Sequence, residues 1–224
     1  MKLVLLSDTH TLHNEMQVPE GDVLIHAGDM CMSGRASEAQ KCLDWLNKLL
    51  YQGTVKYVVA IAGNHDWAFA KPHMKNTLDY GQVIYLENSS VNIDGVNFYG
   101  SPVTPWFYDW AFNVPRGAAI RKYWDMIPEA GMVDVLITHG PPMGILDRAY
   151  PKRLSQHLGC EELLLRVQDS VPLLHVFGHI HGGYGSEIVG QTHFVNAAVC
   201  DEMYRVANAP HVISIMPEKS ILWS

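Results

Sequence analysis

Five short stretches carry side chains that bind cations or move protons. "SDTH" supplies Asp8 and His10, and "AGD" supplies Asp29. "GNHD" supplies Asn64, His65 and Asp66, "HGPP" supplies His139, and "GHIH" supplies His179 and His181. Two carboxylates, one amide oxygen and four or five imidazoles exceed the donor set of one divalent ion. The inventory suits two ions, with a carboxylate between them as a bridge. The donors are nitrogen and oxygen without thiolate, which favours Mn²⁺, Fe²⁺/Fe³⁺, Zn²⁺, Co²⁺ or Ni²⁺ over Ca²⁺. Two such ions ~3.5–4 Å apart hold a hydroxide and clamp a phosphoryl group for in-line attack. Two aspartates against two divalent ions leave a local charge of about +2, so an acidic chain could still attract phosphate.

These residues need elements that bring them together. Each stretch ends a short apolar run: Leu3–Leu6, Val23–His26, Val55–Ala62, Val133–Thr138 and Leu173–Phe177. Such near-continuous Val, Ile and Leu runs read as strands buried on both faces. Further strands are expected at Val91–Tyr99, Thr192–Val195 and Val212–Met216, with Asp94-Gly95 as a hairpin turn. "VISIMPEKSILWS" reads as strand, turn, strand. Helices are expected in "ASEAQKCLDWLNKLL", "GAAIRKYWDMI" and "CEELLLRVQDSV". In the first, Ala39, Leu43, Leu46 and Leu50 share a face, with Ser33 or Ser37 as the N-cap. The alternation predicts an α/β fold, or a sandwich of two sheets flanked by helices. Ligands of α/β sheets collect beyond the carboxyl ends of strands, so neighbouring parallel strands would gather all five stretches.

Composition narrows the function. The chain has 224 residues, 48% of them hydrophobic, and no linker or repeat, so one domain over 1–224 is expected. The net charge is −7 without a dense Lys/Arg block, which disfavours broad binding to nucleic acid or to an anionic membrane. The four cysteines form no Cys-x-x-Cys pair and read as reduced thiols. "MKLVLLSD" is too short for a signal segment, and no run approaches a membrane span. The expected location is the cytoplasm.

The ordered set D-x-H, GD, GNH, H and GHxH, from residue 8 to 181, resembles the calcineurin-like metallophosphoesterase superfamily. "GDVLIHAGD", "GSPVTPWFYDWAFN", "THGPP" and "FGHIHGGYG" are similar to its MPPED/UPF0046-like branch, as a bacterial-type member. The resemblance implies two mixed β-sheets packed as a sandwich flanked by helices, the calcineurin-like fold. It implies that Asp8, His10 and His181 bind one metal, that Asn64, His139 and His179 bind the other, and that Asp29 bridges both. His65 would be catalytic, protonating the leaving oxygen or stabilising transition-state charge. The implied activity is phosphodiesterase chemistry by metal-bound hydroxide, with cyclic nucleotides among the substrates and manganese as the ion expected to serve in vitro. The alternatives are a phosphomonoesterase and a nucleotide-binding metalloprotein with weak turnover. "GDMCMSG" departs from the commoner acidic or Asn-bearing continuation, and Asp66 stands where Glu is common.

Other residues are weighed against structural roles. His13, Trp106, Phe107 and Arg148 are candidate substrate contacts, with Arg153 and Asn196 behind them. The aromatics of "PWFYDWAF" are either a wall for a nucleobase or packing beneath a loop. Asp66 is expected to accept hydrogen bonds near the site or to cap a helix rather than bind a metal, and His26 to be structural.

Overall fold

The computed structural model describes residues 1–149 and 156–223. Along the chain come β1 (Lys2–Leu6), β2 (Gly21–Ala27), α1 (Ala36–Tyr51), β3 (Val55–Ile61), α2 (Trp67–Ala70), α3 (Pro72–Lys75) and β4 (Ile84–Tyr85). Then follow β5 (Ser89–Ile93), β6 (Val96–Ser101), β7 (Thr104–Pro105), β8 (Asn113–Val114), α4 (Ala118–Trp124), β9 (Val135–Thr138) and α5 (Glu161–Ser170). The chain closes with β10 (Leu174–Phe177), β11 (Gly185–Val189), β12 (Thr192–Asn196), β13 (His211–Ile215) and β14 (Ile221–Trp223).

Two six-stranded sheets form, in the orders β14-β13-β1-β2-β3-β4 and β11-β12-β10-β9-β6-β5. The central strands β1, β2 and β3 run parallel, as do β6, β9, β10 and β12. β4 also pairs parallel to β3, whereas β1–β13, β13–β14, β5–β6 and β11–β12 are antiparallel, so both sheets are mixed. Strand alternation sorts the apolar residues into layers. Leu3, Leu5, Ile25, Ile61, Phe98, Ile137 and Val176 pack between the sheets. Leu6, Leu24, Val58 and Ala60 face the other way, against Leu43 and Leu46 of α1. Leu136, Phe177 and Phe194 likewise meet Trp124 of α4 and Leu163 of α5. The expected sandwich flanked by helices is what forms.

The hairpin at Asp94-Gly95 is present, with both residues at positive φ (49° and 85°). The N-cap expectation for α1 fails. Arg35 occupies that position without a side-chain cap, and Glu38 reaches back to accept the Ser33 backbone N–H at 2.8 Å. No helix among the described residues is long and apolar enough to cross a membrane. Cys31, Cys42, Cys160 and Cys200 are free and buried.

Candidate metal centre

The parallel strands bring their carboxyl ends to one rim, and the loops beyond them carry the five stretches. The chain leaves β1 and β2 sharply, with Asp8 (φ 56°), His10 (φ 42°) and Asp29 (φ 56°) in the left-handed region. His179 (φ 67°), after β10, does the same. Non-glycine residues rarely adopt this conformation, and it concentrates where a site demands a fixed geometry. Two glycines have a matching cause. A Cβ on Gly63 would meet the Asp29 carboxylate, and one on Gly178 would meet the Asp8 carboxylate.

The side chains converge in two groups. On one side, the Asp8 carboxylate lies 3.3 Å from His181 Nε2, and His10 Nε2 is 3.2 Å from that same nitrogen. On the other, His139 Nε2 lies 2.9 Å from Asn64 Oδ1 and 3.3 Å from Asp29 Oδ1. Asp29 sits between: its Oδ1 faces His139 and its Oδ2 is 3.8 Å from His10 Nε2. The trios Asp8, His10, His181 and Asp29, His139, His179 each bring one donor atom per residue within 4.8 Å of the others. His65 joins His10 and Asp29 in a third such trio.

The imidazoles are oriented from behind. The Nδ1 atoms of His10, His65, His139 and His181 meet the carbonyls of Cys31, Met32, Ala27 and Asp201 at 3.1, 2.8, 2.9 and 2.9 Å. A proton held on Nδ1 by a carbonyl leaves the Nε2 lone pair for a cation. The donor set therefore fits divalent ions. His10 and His181 otherwise turn two Nε2 atoms on each other, a contact that a shared proton or cation relieves. Asp66 serves the same frame as expected, accepting N–H bonds from Gly63, Met30 and Cys31 at 2.8, 3.2 and 2.8 Å.

Electrostatics in the metal-free protein follow from this crowding. Burial raises the Asp29 carboxyl, but the charge and hydrogen bond of His139 outweigh it and hold the group well below the usual carboxylate range. Burial lowers His139, yet Asp29 and Asp8 with the Ala27 carbonyl carry it up to about 9. His181 likewise rises to about 9: Asp8 outweighs the burial. His179 falls to about 4 through burial and the His139 charge. Burial and the charge of Asp29 push Asp66 up to about 6.

A cleft of about 230 Å³ opens over the cluster, lined by Asp29, Asn64, His65, His179 and His181 and walled by Phe107, Trp110 and Tyr204. Phe107 thus stands where a substrate contact is expected. Three other candidate contacts lie elsewhere. His13 enters a short 3₁₀ turn and packs against Trp45 of α1, with ring centroids 5.3 Å apart. Trp106 is 64% exposed and does not line the cleft. Arg148 bonds to His157 at 2.8 Å beside a separate small cavity. Asn196 is fully buried and donates to the Leu146 and Ile180 carbonyls, bracing the loops from below. Arg153 lies outside the described residues. His26 is structural: it accepts the Gly28 N–H at Nδ1 and bonds Thr9 through Nε2.

Sequence reasoning missed Tyr204 and Glu202. They reach the cleft from a turn that Asp201 and Arg205 close, 2.6 Å apart. The Tyr204 ring stands edge-on to His10 at 4.8 Å. The only local signal is the Asp-x-x-x-Arg spacing, which does not reveal where the turn lies.

A family model described as calcineurin-like phosphoesterase matches residues 1–183. Metallophosphoesterase domain-containing protein 1 of Homo sapiens is 44% identical over 238 aligned positions, covering 96% of this chain and 71% of that protein. UPF0046 protein K07C11.7 of Caenorhabditis elegans is 34% identical, covering 99% of this chain and 77% of its own. One solved structure matches all of this chain and 98% of its own, with a TM-score of 0.66 at 16% identity. A putative 5'-nucleotidase from Staphylococcus aureus, solved with alpha-ketoglutarate, matches all of this chain and 52% of its own, at TM-score 0.56 and 14% identity. At those identities the structural likeness speaks for the fold alone. With a family model over most of its length and a relative this similar, the chain belongs to the calcineurin-like phosphoesterases, metal-dependent phosphoric ester hydrolases that work with a dinuclear centre.

Proposed function

We propose that residues 1–224 act as one phosphodiesterase domain that binds two divalent transition-metal ions and hydrolyses small phosphodiesters, nucleotides among them. The carrying observation is the carboxylate of Asp29, which turns one oxygen to His139 and the other to His10. That arrangement supports a bridge. Asp8, His10 and His181 would hold one ion, and Asn64, His139 and His179 the other. When bound, two ions supply Lewis-acid polarisation of the phosphoryl oxygens and a nucleophile from water at neutral pH. Asp29 and Asp8 would hold the positive charge in place, and backbone carbonyls fix the imidazoles of His10, His139 and His181. His65, with Nδ1–H on the Met32 carbonyl, would as the doubly protonated ring give its Nε2 proton to the oxygen of the departing alcohol and be left neutral.

The cleft's lining supports a diester over a monoester. Among the described residues no Lys or Arg lines it, and Glu202 adds a carboxylate. A dianionic monoester gains little there beyond the ions themselves. A diester monoanion carries less charge and a second organic arm, which Phe107 and Tyr204 can cover. A nucleoside arm suits that wall. Manganese and a cytoplasmic setting complete the reading.

The test compares bis-p-nitrophenyl phosphate with p-nitrophenyl phosphate in Mn²⁺ and after chelation. Faster, metal-dependent hydrolysis of the diester, lost in Asn64→Ala, is expected. Preference for the monoester, or retained nucleotide without turnover, contradicts the proposal.

A further inference from the structure

His65 is held by a backbone carbonyl, by Asp29 and His10 of the cation pocket, and by two aromatic rings of the cleft wall. Its Nδ1 meets the Met32 carbonyl and its backbone N–H meets Asp29, both at 2.8 Å. The His10 ring stands edge-on at 4.7 Å. Tyr204 stands edge-on at 6.0 Å, and the indole of Trp110 lies nearer, over the imidazole at 4.3 Å with 31° between the planes.

The indole is anchored. The Ala111 backbone N–H donates to the Asn64 carbonyl at 3.0 Å, clipping the aromatic loop to the GNH turn. β7 pairs with β8 at the loop's base, and Asn113 donates to the Phe107 and Tyr108 carbonyls at 2.9 and 3.1 Å. Residues 104–114 are therefore a closed loop tied to the residue before His65.

We infer that Trp110 is a positioning residue for His65: its indole face keeps the imidazole on the Met32 carbonyl and leaves Nε2 to the cleft. The inference rests on the reading of His65 as the group that assists the leaving oxygen. Rotation about the terminal torsion of histidine is broad and roughly two-fold, so one hydrogen bond alone lets the ring flip when water competes. The indole, tilted 31° over the ring at 4.3 Å, opposes the flip and shields that face from competing water. Proton transfer needs the donor nitrogen within hydrogen-bond reach of the leaving oxygen, so misplacement shows in kcat.

The test uses diesters with one fixed arm and a leaving arm of either p-nitrophenol or an alkyl alcohol. Trp110→Ala is expected to lose roughly ten- to hundredfold in kcat on the alkyl arm, with KM nearly unchanged. It loses little on p-nitrophenolate, which departs without a proton. Trp110→Phe keeps most of the rate. In a His65→Ala background, Trp110→Ala adds no further loss. A second readout needs no turnover. Long-range ¹H–¹⁵N spectra of the metal-free protein should show the neutral form of His65, the form left once Nε2 has given up its proton, as one tautomer protonated at Nδ1, and as a mixture in Trp110→Ala. Additive losses, equal losses on both arms, or a KM effect alone would make Trp110 a substrate wall and overturn the inference. If wild type hydrolyses no diester, the functional reading fails, and an unchanged tautomer in Trp110→Ala would overturn the positioning role separately.

Discussion

The backbone N–H of His65 donates to Oδ1 of Asp29 at 2.8 Å. The carboxylate proposed as the bridge thus also fixes the turn that carries the proposed proton donor. Asp29→Asn keeps the shape and removes the charge. Bound Mn²⁺, measured by elemental analysis after reloading, should fall from about two equivalents to one or none. Hydrolysis should fall by about three orders of magnitude, since several kcal/mol of charge stabilisation is lost. Two retained equivalents would argue against the bridge.

Metal binding should release protons. His139 and His181 sit at about 9 in the metal-free protein, so both are protonated at pH 7. A cation must displace those protons, so Mn²⁺ affinity should climb as pH rises toward about 9 and level off above it. Calorimetry in buffers of different ionisation enthalpy counts the protons. A flat affinity over that window would contradict the assignment of these two imidazoles as ligands.

Asp66 is fully buried, stands outside the cleft lining, and holds three backbone N–H groups in the loops beside Asp29 and Asn64. Asp66→Ala leaves those donors buried without partners. It should cost about 3 kcal/mol of stability and weaken metal affinity roughly 10- to 100-fold. Asp66→Asn retains one acceptor oxygen and should cost less in both. Urea unfolding and metal titration separate the two effects. An Ala variant as stable as wild type would show that the loops hold without this carboxylate.

His175 gives a pH signature away from the centre. Thr138 Oγ1 donates to the Gly140 carbonyl at 2.7 Å, so the 2.8 Å contact with His175 Nε2 puts the imidazole proton on Nε2. Nδ1 is then buried without a partner, and burial lowers the group to about 3. A lowered histidine favours the fold above its ordinary 6.5 and loses that contribution as pH falls toward 3. Between pH 6 and 4, wild type should lose about 1.4 kcal/mol per pH unit more than His175→Leu. Parallel unfolding curves for the two would contradict the burial of a neutral imidazole.

The convergence of the five stretches was legible in the sequence because their chemistry is written in residue types. Aspartate, asparagine and histidine at the ends of apolar runs have few other uses, and parallel strands leave one rim to share. The long strands were legible for the same reason: β1, β2, β3, β9 and β10 are apolar on both faces. Two-residue strands such as β4, β7 and β8 carry no period to read, and β11 exposes Ile188 and Val189 at a sheet edge. The start of α1 misled because Glu38 caps in reverse, a contact set by the loop before the helix. His13 and Arg148 stand away from the cleft, since sequence proximity to the stretches says nothing of side-chain direction. Tyr204 and the stack of Trp110 on His65 depend on how distant loops fold over the rim, which no local pattern encodes.

Anomalous diffraction from crystals soaked in Mn²⁺ addresses the two-ion centre directly. Two peaks ~3.5–4 Å apart are expected, each bonded to a different oxygen of Asp29, with Asp8, His10 and His181 around one and Asn64, His139 and His179 around the other. A single peak, or two peaks that do not share Asp29, would contradict it.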